Sequence, residues 1–200
     1  MTSDDRPDRR AVAIAGHRGD LATAQAGLTA TDPRTRATAL GALERLGALD
    51  DATLAAALDD SDTTVRRRAA EIAAAHPDVD LLGALADPDP RVVEVVAWAC
   101  GEHESDRPEI VDALIHLAGE AGDALVREAA VASLGAIGDE RGLPAILAAC
   151  ADKPAVRRRA VLALAPFDGD DVEAAIEAAL GDRDWQVRQA AEDLRRATAE

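Results

Sequence analysis

The sequence predicts an all-α protein, a right-handed α-solenoid of about six helix pairs. Three observations carry that expectation. A short motif returns six times along the 200 residues. Ala supplies 48 residues, while Trp98, Trp185 and Phe167 are the whole aromatic content. Each motif copy opens on an Asp or an Asp-Pro pair and continues with apolar residues at helical spacing.

The motif reads Asp, two or three residues, Val-Arg, then Ala and a further apolar residue. It stands at Asp62–Val65–Arg66, Asp123–Val126–Arg127, Asp152–Val156–Arg157 and Asp184–Val187–Arg188, with two weaker copies at Asp32–Thr35–Arg36 and Asp89–Val92–Val93. Taking positions 35, 65, 92, 126, 156 and 187 as anchors, the spacings are 30, 27, 34, 30 and 31. The Asp serves as N-cap, its carboxylate accepting free amide hydrogens at the positive end of the helix dipole. Pro33 and Pro90 fall in the first turn, where the missing N–H costs nothing. Gly47, Gly101 and Gly138 mark helix ends. These motif helices are the B helices. Shorter Ala/Leu stretches at 20–29, 50–59, 79–86, 108–121, 141–150 and 170–180 supply the A helices. One pair cannot bury its apolar stripe, whereas a stack can. The expected organisation is a disordered 1–7, an N-terminal capping half-repeat at 8–17, and one continuous domain over 8–198. Its repeats run approximately 19–47, 48–76, 77–101, 107–138, 139–166 and 169–198.

The string Asp-x-x-Val-Arg-x-x-Ala-Ala-x-x-Leu-Gly in helix pairs of about 30 residues resembles HEAT repeats, in the short form called phycobilisome-lyase (PBS lyase) HEAT-like repeats. The resemblance covers residues 19–198. It implies an armadillo-like α-solenoid whose B helices line a concave face that binds a protein. The Trp, Tyr and Pro pattern of tetratricopeptide repeats and the Thr-Pro-Leu-His of ankyrin repeats are missing.

Composition removes other classes. Thirty-eight acidic side chains against 22 basic ones leave a formal charge of −16, which argues against coating a nucleic-acid backbone. There is no apolar run near 18 residues for a membrane span and no apolar core to MTSDDRPDRR for a secretory signal. Two cysteines are no disulfide framework. A soluble, cytoplasmic monomer is expected. One Lys against 21 Arg, with Asp exceeding Glu, resembles haloarchaeal proteins, in which molar salt screens the self-repulsion of an acidic surface.

Candidate sites follow from the repeat frame. Asp32/Arg36, Asp62/Arg66, Asp123/Arg127, Asp152/Arg157 and Asp184/Arg188 read as a structural ladder in which an Arg meets the capping Asp of a neighbouring repeat. Positions two, six and nine beyond each anchor read as the face opposite the core. On that face Trp98 is the expected anchor of a partner. Arg67, Glu71, Glu94, Glu128, Ala132, Arg158 and Leu162 surround it. The runs Arg66–Arg68 and Arg157–Arg159 read as solvated helix surface with long stems over Ala. Cys100, His103 and Glu104 or Asp106 are the one set with metal-ligand chemistry, but lack paired Cys-x-x-Cys spacing, so no metal is expected. His103-Glu104 is similar to the His-Glu pairs of HEAT-repeat deoxyhypusine hydroxylases, but His17, His76 and His116 lack the following Glu. With no nucleophile set or phosphate loop, the chain reads as a scaffold or adaptor without catalytic residues or cofactor. The alternatives are a phycobilin-lyase-related or accessory protein, and then a HEAT-like nucleic-acid-binding protein.

Overall fold

The computed structural model describes residues 7–104 and 107–198; the N-terminal segment expected to be disordered lies outside these residues except for Pro7. Among the described residues the elements are twelve α-helices and two 3₁₀ turns, with no strand. They gather into two compact units, residues 1–84 and 85–200.

The first unit holds α1 (Arg9–Arg18), α2 (Leu21–Gly27), α3 (Pro33–Arg45), α4 (Asp51–Leu58) and α5 (Thr63–Ala73). Helix α1 packs on α3 and α3 on α5, with α2 against α1 and α3, and α4 against α5. The motif-bearing B helices therefore form one layer and the A helices a second. The core between the layers is aliphatic: Val12, Leu40, Leu43, Leu54 and Val65 are fully buried.

The second unit holds α6 (Pro90–Glu102), α7 (Pro108–Glu120), α8 (Ala124–Ile137), α9 (Leu143–Ala149), α10 (Pro154–Ala163), α11 (Asp170–Leu180) and α12 (Trp185–Thr198). Here α6, α8, α10 and α12 stack in sequence as the B layer, and α7, α9 and α11 cover them. Val92, Val96, Leu114, Leu134, Ile146 and Leu164 form the centre of this core.

Aspartates set the helix starts. Asp32, Asp62, Asp89 and Asp123 each accept an amide hydrogen of the first turn of a B helix, and Asp184 accepts that of Gln186 at 2.8 Å. Asp8, Asp20 and Asp50 do the same for α1, α2 and α4. Among the B helices, α10 is the exception. Its N-cap is Lys153, which makes no side-chain cap bond, and Asp152 is engaged elsewhere.

One expected A helix is absent. Residues 79–86 form turns and a single 3₁₀ turn, Gly83–Ala86. Pro77 and Pro88 bracket the segment, and a residue preceding Pro is pushed out of helical geometry. Asp80 also turns the chain by accepting the Leu82 amide at 3.1 Å. The repeat is the shortest in the chain, at 27 residues between anchors. Val79, Leu81 and Leu85 are nonetheless buried, so apolar burial is retained where the helix is lost.

The B helices approach each other closely at their C-terminal ends. A Cβ on Gly101 would lie 2.8 Å from the Ser133 hydroxyl, and one on Gly135 would lie 2.6 Å from Ala163 Cα and Cβ. The Ser133 hydroxyl bridges the first contact by donating to the Ala97 carbonyl at 2.6 Å. On α6 and α8 the ninth position beyond the anchor is therefore a helix–helix contact, not part of an open face.

Gly135→Ala should destabilise the second unit by about 1–3 kcal/mol through overpacking, although Ala is the better helix former. Gly119→Ala on α7, where a Cβ meets nothing within 4 Å, should instead stabilise by up to about 1 kcal/mol. Urea unfolding of the two variants checks the opposite signs.

Candidate functional site

The ladder is built by the motif arginines. Arg36 places Nε and Nη2 on the two carboxylate oxygens of Asp60, at 2.8 and 2.7 Å. Arg127 grips Asp152 in the same way at 2.6 and 2.8 Å, and Arg157 grips Asp182 at 2.9 and 2.7 Å. The partners of Arg36 and Arg157 are thus not the caps Asp62 and Asp184 but the aspartates two residues earlier. Asp60 and Asp182 accept the Asp62 and Asp184 amides at 2.8 Å as well, leaving the second Asp to cap its helix. The remaining arm of each fork holds its own loop. Nη1 donates to the carbonyl of Ala30 from Arg36, of Ala121 from Arg127, and of Asp152 from Arg157, at 2.7–2.9 Å. Arg66 and Arg188 make the equivalent bond to the carbonyls of Asp60 and Asp182. One guanidinium therefore ties the loop of its own repeat to the loop of the next. The arginine hydrogen bonds hold Asp60, Asp152 and Asp182 below the ordinary carboxylate range, against the opposing effect of burial.

The other arginines of the basic runs meet carboxylates nearby. In the first unit Arg67 and Arg68 both reach Glu71, at 3.4 and 3.0 Å. In the second, Arg158 and Arg159 on α10 face Glu128 on α8 at 3.7 and 3.6 Å. In each run two guanidiniums share one carboxylate.

A further charged cluster, unmarked by any motif, lies in the first unit. His76, just beyond α5, places Nδ1 2.9 Å from Asp51 and Nε2 3.0 Å from Glu44. Burial works against its charged form, but the bonds to Asp51 and Glu44 outweigh it and raise the imidazole pKa above 6.5.

On the B layer of the second unit, the second and sixth positions beyond each anchor lie at the surface. Trp98 on α6 is 44% exposed and Leu162 on α10 is 37% exposed, with Ala132 at the corresponding position of α8. Glu94, Glu128 and Arg158 are half-buried in the row beside them. Arg67 and Glu71 belong to α5 of the first unit. Sequence reasoning passed over Trp185, which is 64% exposed. With Arg158, Leu162, Gln189 and Asp193 it lines a shallow groove of about 230 Å³. A signal was present: Trp185 occupies the first helical position, where the other motif helices carry Pro33, Thr63, Pro90, Ala124 and Pro154.

Cys100 is buried in the core. Burial pushes the Cys150 thiol up to about 11, which keeps it protonated and a poor nucleophile. Among the described residues no group of three His, Cys, Asp or Glu side chains is placed to hold a metal ion. Asp106 of the Cys100–Asp106 segment lies outside those residues. No described helix is long and apolar enough to cross a membrane.

Two layers of stacked helix pairs, joined loop to loop, define a helical-repeat protein of the α-solenoid class. Residues 79–155 match the HEAT repeats family. The chain is similar in structure to YibA of Escherichia coli, with 18% identity and a TM-score of 0.66, over 96% of this chain and 75% of that one. It is also similar to a designed armadillo repeat protein in complex with peptide (KR)4, with 18% identity and a TM-score of 0.64, over 88% and 98% of the two chains. An engineered protein aligns at 20% identity and a TM-score of 0.61, over 86% and 94%. No curated protein matches the chain in sequence.

Two outcomes test this chemistry. Arg157→Met should cost about 3 kcal/mol by leaving Asp182 half-buried and unpaired, and Arg157→Met/Asp182→Asn should recover part of that loss in urea unfolding. His76 with a raised folded-state pKa contributes stability that is complete below pH 6.5 and disappears as the pH climbs through the raised value. Thermal unfolding between pH 5.5 and 8.5 should therefore show wild type losing more stability than His76→Gln.

Proposed function

We propose that this chain is a non-enzymatic scaffold that binds a segment of another protein on the B-helix face of its second unit, with Trp98 as the anchor. The observation that carries the proposal is the exposure of Trp98 on α6, in line with Ala132 and Leu162 on the next two B helices. In a chain with three aromatic residues, two large indoles at the surface of one layer are contact area, since Trp is the side chain that most often anchors interfaces. The stacked helices preform that surface, with the Ser133 bond joining α8 to α6 and the Arg127 and Arg157 forks joining α8, α10 and α12, so a partner is bound without the cost of ordering it. The designed armadillo neighbour is in complex with a peptide, which supports a peptide-binding use of such a fold.

The test is affinity capture from the native host with wild type and Trp98→Ala, read by mass spectrometry after circular dichroism has shown both folded. Proteins retained by wild type should be lost from the variant. Identical retention by both would remove Trp98, and with it this face, as the binding site.

A further inference from the structure

We infer that the Trp98 site takes a cationic side chain, and so that the partner segment is basic, with an Arg or Lys seated on the indole between Glu94 and Glu102. The inference rests on the protein-binding reading above and specifies its chemistry. Glu94, Trp98 and Glu102 stand four residues apart on α6, which places them in one row on one face of the helix. Two other carboxylates of the same layer are engaged internally. Glu128 is shared by Arg158 and Arg159, and Asp193 by Gln189 and Arg196. Glu94 and Glu102 have no ion-pair or hydrogen-bond partner among the described residues, although one is half-buried and the other exposed.

An exposed indole bordered on both sides by unpaired carboxylates is suited to a cation. The ring face attracts it through the quadrupole, and the two carboxylates supply the countercharge. A neutral apolar segment laid on Trp98 would desolvate Glu94 without compensating it, and an acidic one would be repelled. The wider field has the same sign, since residues 85–200 carry 24 acidic and 12 basic side chains. The surroundings leave the ring accessible, with Ala132 at the corresponding position of the adjacent helix. Arg and Lys are the protein cations able to fill such a site, and Arg adds stacking of its planar fork on the indole.

The experiment titrates three fluorescein-labelled octapeptides onto the full chain: one alternating Lys and Arg, one alternating Glu and Ser, and one of neutral apolar residues. It is run at a KCl concentration where circular dichroism shows every variant folded. The basic peptide should bind most tightly. Trp98→Leu and Glu94→Gln/Glu102→Gln should each weaken it at least tenfold, while Asp170→Asn/Asp171→Asn on α11 should leave it within twofold. In Trp185→Phe, the remaining indole emission should still change on binding. Equal weakening by the α11 pair would show a general field effect and overturn the inference. Tighter, Trp98-dependent binding of the neutral peptide would overturn the cationic specificity and keep the protein-binding face. No Trp98-dependent binding of any peptide would overturn both.

Discussion

The arginine fork is the interaction on which the stack depends. A helix pair with an Ala-rich stripe buries little apolar area per residue, because Ala offers a methyl where other cores offer an isobutyl or a ring. What Ala and Gly permit is close approach of neighbouring backbones, as at Gly135 against Ala163. Close packing of small residues fixes distance but leaves helices free to slide. The fork removes that freedom between α3 and α5, between α8 and α10, and between α10 and α12. Arg127 bonds the Ala121 carbonyl of its own loop with one arm and the Asp152 carboxylate of the next loop with the other. The register between repeats is thereby set by hydrogen bonds of fixed geometry, which Lys could not reproduce with a single ammonium. This gives a local reason for Arg in the motif, beside any bias in the composition as a whole.

The fork and its carboxylate are also absent together. Helix α6 carries Val93 where α8 carries Arg127, and the loop before α8 has Ala121 in the place that holds Asp60 and Asp182 elsewhere. A buried or half-buried carboxylate without its guanidinium would be costly, so each Asp is present where there is an Arg to meet it. Where the fork is missing between α6 and α8, Ser133 supplies a different bond by donating to the Ala97 carbonyl.

Much of this was legible in the sequence, for a physical reason. Helix caps and apolar stripes are local patterns, so the motif copies locate the B helices within a residue or two of α3, α5, α6, α8, α10 and α12. What needs three dimensions was misread or missed. The ladder aspartates Asp60 and Asp182 lie two residues before the caps, and in the string Asp60-Ser-Asp62 sequence alone does not say which carboxylate turns inward. Gly101 and Gly135 look like small open-face positions, yet they are small because another backbone is there. The A segment at 79–86 has enough Leu for a helix but is framed by Pro77 and Pro88, and chain geometry prevailed over composition. His76 and its two carboxylates come from three separate segments and have no sequence pattern to announce them.

Net charge changes meaning once pairing is known. A surplus of 16 negative charges is compatible with salt adaptation and with a basic partner, and by itself it separates neither from the other. The two readings differ in where unpaired charge should lie. Salt adaptation spreads carboxylates over the solvated surface without regard to apolar neighbours, because their role is collective. Recognition concentrates them beside contact area, because desolvation at an interface strengthens a local charge far more than a distant one. On the B layer of the second unit the carboxylates near Arg158, Arg159, Gln189 and Arg196 are consumed internally, and those beside Trp98 are left available. That local contrast, on a layer where Asp152 and Asp182 each meet a guanidinium fork, sets the Trp98 face apart from its neighbours.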